Sequence, residues 1–194
     1  MAVPKVIWYF PGPARDSCGV LDVDFWPTIA CDVDLLPNGV AIRVGPGCVI
    51  VEVEILEPEI KGFRRVVEKV LNRFRDVDDL KVEEPSKEHL KLRAEIDYTI
   101  CNEKVCPESY FELEEDESNM VFGEGILDWD PESDTFIVNL RHGPYVKVEV
   151  SPLGVKLYRD DKGRVARIEV PEASKKGLLE AVYRYIVREI ETEE

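Results

Sequence analysis

Gly125 to Ser174 reads GILDWDPESDTFIVNLRHGPYVKVEVSPLGVKLYRDDKGRVARIEVPEAS, and the alternation within it decides the fold. Phe136, Val138 and Leu140 alternate with Ile137 and Asn139, and Val146, Val148 and Val150 alternate with Lys147 and Glu149. Val155 and Leu157 flank Lys156 in the same way. Period two is the signature of half-buried strands. Arg141 to Pro144 and Asp160 to Gly163 supply turns between them. The run then passes into a helical pattern.

Working outward, the same pattern occurs earlier in the chain. Under a constant shift of 115 positions, Pro37-Asn38-Gly39-Val40 falls on Pro152-Leu153-Gly154-Val155, Val53-Glu54-Ile55 on Ile168-Glu169-Val170, and Lys61-Gly62 on Lys176-Gly177. The helical stripe Phe63, Val66, Val67, Val70, Leu71 falls on Leu178, Ala181, Val182, Tyr185, Ile186. Two copies of one unit are therefore expected. Further upstream, Gly19-Val20-Leu21-Asp22-Val23-Asp24 matches Gly125-Ile126-Leu127-Asp128-Trp129-Asp130. That match makes the interval Asp24 to Pro37 nine residues shorter than Asp130 to Pro152, as if the first copy had lost part of a hairpin.

The turns and strands Asp130-Pro131-Glu132-Ser133-Asp134, Ser151-Pro152-Leu153-Gly154-Val155, Asp160-Asp161-Lys162-Gly163-Arg164-Val165 and Ile168-Glu169-Val170 resemble the small uncharacterised domain family typified by YuzE. The resemblance covers residues 125–174, with a degenerate second copy at about 19–74. It implies a fold and no chemistry.

The expected architecture is α+β: two related units of mostly antiparallel strands, each followed by an amphipathic helix, with a β-hairpin inserted between them. The first unit spans 1–74 with a helix over about 59–74, its buried face marked by Ile60, Phe63, Val67, Val70, Leu71 and Phe74. Val6 to Phe10 is an apolar strand needing a partner. The second unit spans 125–194, its helix running over about 174–191 from Ser174 as N-cap. Between them, 75–124 holds the acidic connector Asp76 to Asp79 and a hairpin. The outgoing strand is Leu90 to Ile100, Tyr110 to Leu113 is its return, and Glu112 to Ser118 is a solvated loop. A fused pair of such units imitates a homodimer.

A net charge of -15 argues against nucleic-acid binding, which needs clustered Lys and Arg. The N-terminal apolar run is short and broken by Pro11 and Pro13, unlike a signal peptide, and no stretch approaches a membrane span. A cytoplasmic protein is expected. The chain has no Gln and 34% charged residues, a balance that suggests a hyperthermophile, in whose cytoplasm disulfides are common.

Cys101 and Cys106 are the sharpest local feature, placed by the hairpin reading within disulfide reach of each other. Tyr98-Thr99-Ile100-Cys101-Asn102-Glu103-Lys104-Val105-Cys106-Pro107 is similar to the thiol-disulfide segment of the N-terminal domain of DsbD-type interchange proteins, which implies Cys101 and Cys106 as a redox pair. A structural staple is the competing reading, since Glu103 and Glu108 disfavour a thiolate. Zinc would need two further ligands, and Cys18, Cys31, Cys48, His89 and His142 form no close pair, so no metal is expected. Cys31 and Cys48 fall within strands of the first copy, as small buried hydrophobes, opposite Val146 and Gly163 of the second.

Asp22 with Asp24, and Asp128 with Asp130, share strand faces, yet Asp130 reads as the cap of the Pro131 turn and Asp128 as a solvent-facing residue. Gly45-Pro46-Gly47 lacks the Lys and helix of a phosphate loop and reads as a strand turn. His89 and His142 have no triad context, and the aromatics Trp8, Trp26 and Trp129 are assigned to packing. No catalytic residue and no cofactor emerges. The expectation is a non-enzymatic, acidic, thermostable interaction or assembly module with a protein partner or a second copy of itself. The alternatives are a redox protein using Cys101 and Cys106, and an acidic, antitoxin-like inhibitor of a basic protein.

Overall fold

The computed structural model describes residues 7–9, 19–25, 30–74 and 105–192. The strand Leu90 to Ile100, the acidic connector, and Cys18, Trp26, His89 and Cys101 lie outside the described residues.

Two five-stranded antiparallel sheets form, one per unit. The first comprises β1 (Ile7–Tyr9), β2 (Val20–Asp24), β3 (Asp32–Leu35), β4 (Val40–Gly45) and β5 (Val49–Leu56), ordered β1-β2-β5-β4-β3. A 3-10 turn, Pro58–Lys61, leads into helix α1 (Phe63–Phe74). Helix α2 (Glu108–Glu114) precedes the second sheet, made of β6 (Leu127–Asp130), β7 (Thr135–Asn139), β8 (Tyr145–Val150), β9 (Lys156–Asp160) and β10 (Val165–Pro171). Its order is β6-β7-β10-β9-β8, and a helical turn, Ser174–Leu178, leads into α3 (Leu179–Thr192).

The 115-residue shift holds from β2 to the helices without a gap. Val23 faces Val53 in the first sheet, and their equivalents Val138 and Ile168 face each other in the second. Even the β-bulge repeats: Arg43 pairs with Glu52 and Val44 with Ile50, while Tyr158 pairs with Arg167 and Arg159 with Val165. The bulge puts two neighbours inside at once, Ile50 with Val51 and Val165 with Ala166. This corrects the upstream match. The equivalent of β2 is β7, at the same shift as everything else, and no hairpin has been lost. Apolar-in, acid-out alternation is shared by every half-wet strand, so Gly19–Asp24 could be laid on Gly125–Asp130 without being its counterpart.

The helices follow the duplicated stripe. Phe63, Val66, Val67 and Val70, spaced i, i+3, i+4, i+7, are all buried, as are Leu178, Ala181, Val182 and Tyr185. Ile60, expected on that face, lies in the 3-10 turn and is exposed. Ser174 is not the cap of α3, which starts five residues later; it hydrogen-bonds the Asp134 carboxylate instead. Each helix also reaches the other unit. Lys69 of α1 donates to Asp128 Oδ1 at 2.7 Å on β6, Phe74 stacks over the fully buried Trp129, and α3 touches β1. The Phe63 and Tyr185 rings meet edge to face, so both units share one apolar core.

Gly62 sits where that docking is tightest. Its φ is +103°, and a Cβ there would lie 2.5 Å from the Glu124 carbonyl and 2.6 Å from that of Leu127. Only glycine fits both the backbone and the space.

Two expectations for the insertion change. Tyr110 to Leu113 is helical, within α2, rather than a return strand. Val105, Tyr110 and Phe111 pack against the core, and Glu114 is also buried, so residues one to four apart turn inward as a helix requires and a strand does not. Glu112 to Ser118 is accordingly no solvated loop throughout: Glu114 is 0% exposed.

Candidate functional site

Cys106, one of the two cysteines singled out by sequence, is disulfide-bonded to Cys48, 58 residues away. The Cys101–Cys106 pairing is thereby excluded, because each sulfur accepts one partner. Cys31 is disulfide-bonded as well. Neither Cys31 nor Cys48 lies inside a strand. Cys31 immediately precedes β3, and Cys48 ends the β4–β5 turn at φ 60°, the place held by Gly163 at φ 83° in the second unit. Cys48 thus tethers α2 to a strand turn of the first sheet.

Above α2 lies a buried polar cluster that strand periodicity could not reveal. Arg141, fully buried, donates from Nη2 to the Glu114 carbonyl at 2.6 Å and from Nη1 to the carbonyls of Asp116 and Ser118. The Glu114 carboxylate accepts the Val165 amide at 2.9 Å, and its second oxygen lies 3.9 Å from Arg141 Nη2. Arg164, also buried, bonds Asp160 at 2.7 Å and Asp116 at 2.8 Å. Burial pushes Glu114 up to about 7 against the pull of the Val165 amide and Arg141. Burial, with Glu115 and Asp32 adding to it, raises Asp34 to about 6. Among the described residues, atoms of Asp34, Glu114 and Arg141 are buried there without hydrogen-bond partners. The cluster locks α2 and the 115–120 segment onto the β9–β10 turn, a structural role.

Asp130 does cap its turn, accepting from the Glu132 amide and the Ser133 hydroxyl. Asp128 is not simply solvent-facing, since it holds Lys69. His142 is exposed, Gly45 ends β4 with Pro46 and Gly47 in the turn that follows it, and Trp129 is core. Asp22, Glu52 and Glu54 bring carboxylate oxygens within 4.8 Å of one another on the outer face of the first sheet. Arg43 already lies among them, 2.5 Å from Glu54 and 3.6 Å from Glu52.

The feature that looks outward is β8. Among the described residues it is an edge strand of the second sheet, and Val146, Val148 and Val150 are 62%, 51% and 59% exposed. Val148 pairs with Tyr158 and Val150 with Lys156, so these two valines lie on the outer face of the sheet, away from the helices, while Val146 falls in the bulge. On the first sheet the equivalent edge β3 exposes Val33 and Leu35. Period two identified β8 as a strand, but only the sheet order shows it to be an edge. Among the described residues no helix is long and apolar enough to cross a membrane.

Comparison with known protein families, with curated proteins and with solved structures finds no match to this chain.

Proposed function

We propose that this protein is a non-enzymatic interaction module that takes up a protein partner along the open edge of its second sheet. The observation that carries the reading is the exposure of Val146, Val148 and Val150 on an edge strand that is open along almost its whole length. Such strands offer unpaired backbone groups to another strand and are ordinarily blunted by charge or cover. An apolar edge is the geometry of β-strand addition, where the main chain supplies affinity and alternate side chains supply selectivity. A photo-crosslinking residue in place of Val148 should give protein adducts in an extract of the source cells, and one in place of the exposed Lys175 should not. Equal labelling from both positions, or none from 148, would refute the reading.

A second reading follows from the opposite unit. Asp22, Asp24, Glu52 and Glu54 occupy outward positions of the first sheet, a concentration of carboxylates that supports docking of a basic protein on that face. Such binding should weaken as salt is raised; binding indifferent to salt counts against it.

A further inference from the structure

The partner for the β8 edge is written in the strand itself. Its sequence Val146-Lys147-Val148-Glu149-Val150 is complementary to itself when read in the opposite direction. Laid antiparallel against a second copy and centred on Val148, it sets Val148 opposite Val148, Val146 opposite Val150, and each Lys147 opposite the Glu149 of the other chain. Opposite charges directly across an antiparallel pair stabilise it, as do facing β-branched residues. Lys147 and Glu149 already share a face, with Lys147 Nζ 2.7 Å from Glu149 Oε1, and Arg159 holds that carboxylate from the neighbouring strand at 3.2 Å. The bulge between Tyr145 and Lys147 leaves Lys147 to Val150 in regular register with β9, and these residues include both charges of the match.

The internal duplication supplies a built-in comparison. The equivalents of Lys147 and Glu149 on β3 are Asp32 and Asp34, flanking Val33. The same antiparallel register there would set Asp32 against Asp34 of the other chain, carboxylate facing carboxylate. The first sheet's outer face adds Glu52 and Glu54, whereas their equivalents on the second are Arg167, bonded at 2.8 Å to Glu169, and Glu169 itself. The charge order that makes β8 complementary to itself is absent from β3.

We infer that the chain forms a two-fold dimer by antiparallel pairing of β8 with β8 of a second copy, joining the two second-unit sheets into one ten-stranded sheet. The inference rests on the proposed role of the β8 edge and names its occupant. A two-fold axis through Val148 makes the contact isologous and closed, so assembly stops at two chains.

The test is sedimentation of the full chain with charge variants. Wild type should sediment at twice the 22.2 kDa chain mass. K147E and E149K should each weaken the dimer by about tenfold or more, since each sets like charges across both pairs. Mixed in equal amounts, K147E and E149K should recover a dimer containing one chain of each, which a misfolded variant would not do. A wild-type monomer, a dimer indifferent to both substitutions, or a mixture that fails to recover would overturn the inference. If the wild type is monomeric and position 148 still cross-links to another protein, self-pairing fails and the interaction role stands. If it is monomeric and position 148 cross-links to nothing, both fail.

Discussion

Lys61 and Lys176 occupy the same buried place in the two units, each with its ammonium beside the glycine of the turn before the unit's fourth strand. A Cβ on Gly39 would come within 3.0 Å of Lys61 Nζ, and one on Gly154 within 3.3 Å of Lys176 Nζ. Lys61 Nζ donates to the Leu56 carbonyl at the end of β5. Burial lowers the pKa of both amines. In the first unit the ammonium thereby satisfies the carbonyl at the end of the last strand while lying against the turn.

Lys61→Met keeps the stem and removes that donor. The Leu56 carbonyl then loses its charged partner, and unfolding free energy should fall by about 1–3 kcal/mol in a denaturant titration. An unchanged midpoint would show that the ammonium has no such structural role.

Glu114 and Asp34 set the response to pH. Both hold protons in the folded state, up to about 7 and about 6, that the unfolded chain releases near 4.5 and 3.8. The folded state therefore binds more protons than the unfolded state in that window, and stability from this pair, full below it, is lost as pH rises to about 7. Asp116 acts in the other direction, held low by the Ser118 amide and hydroxyl and by Lys162. For Asp160 burial pulls upward, yet Arg164 carries it below the usual range. Their contributions are lost as pH falls below about 4. Stability should peak near pH 5, and Glu114→Gln should flatten the decline between pH 5 and 8 by on the order of 2 kcal/mol. Melting curves across that range check this, and a variant that keeps the wild-type slope would disprove it.

Gly62→Ala should be among the most damaging single substitutions. The added methyl group must displace two backbone carbonyls in a conformation already unfavourable for alanine, for a loss of more than about 3 kcal/mol. Gly47→Ala is the control. Its φ is +75° but nothing lies within 4 Å of the new Cβ, so about 1 kcal/mol is expected from backbone strain alone. Thermal unfolding of the two variants separates close approach from dihedral preference.

Reduction, or Cys106→Ser, frees α2 from the first sheet. Closure of a loop across 58 positions corresponds to about 4 kcal/mol at most in the chain-entropy account, less where Cys31's disulfide already restrains the chain. The melting temperature should fall with reductant in wild type and be lower without it in Cys106→Ser. Equal melting temperatures in all three conditions would show the bond to be inconsequential.

The two units, their strands from Val40 to Val170 and their helical stripes are legible in the residues alone. Those are local: period two, period 3.6 and turn residues are written in neighbouring positions, and the 115-residue shift needed only Pro37 to Ile186 to be seen. The self-complementary order of β8 is legible in the same way. Tertiary structure decided everything that depends on what approaches from elsewhere. It placed β8 at an edge, paired Cys106 with Cys48 rather than Cys101, and turned Tyr110 to Leu113 into a helix. It also drew Glu114 inside, beside Arg141, from a run of charges that reads as solvated. Burial and long-range pairing are properties of the assembled core, where a charge can be kept from water if a partner distant in sequence receives it, and no local pattern records that partner.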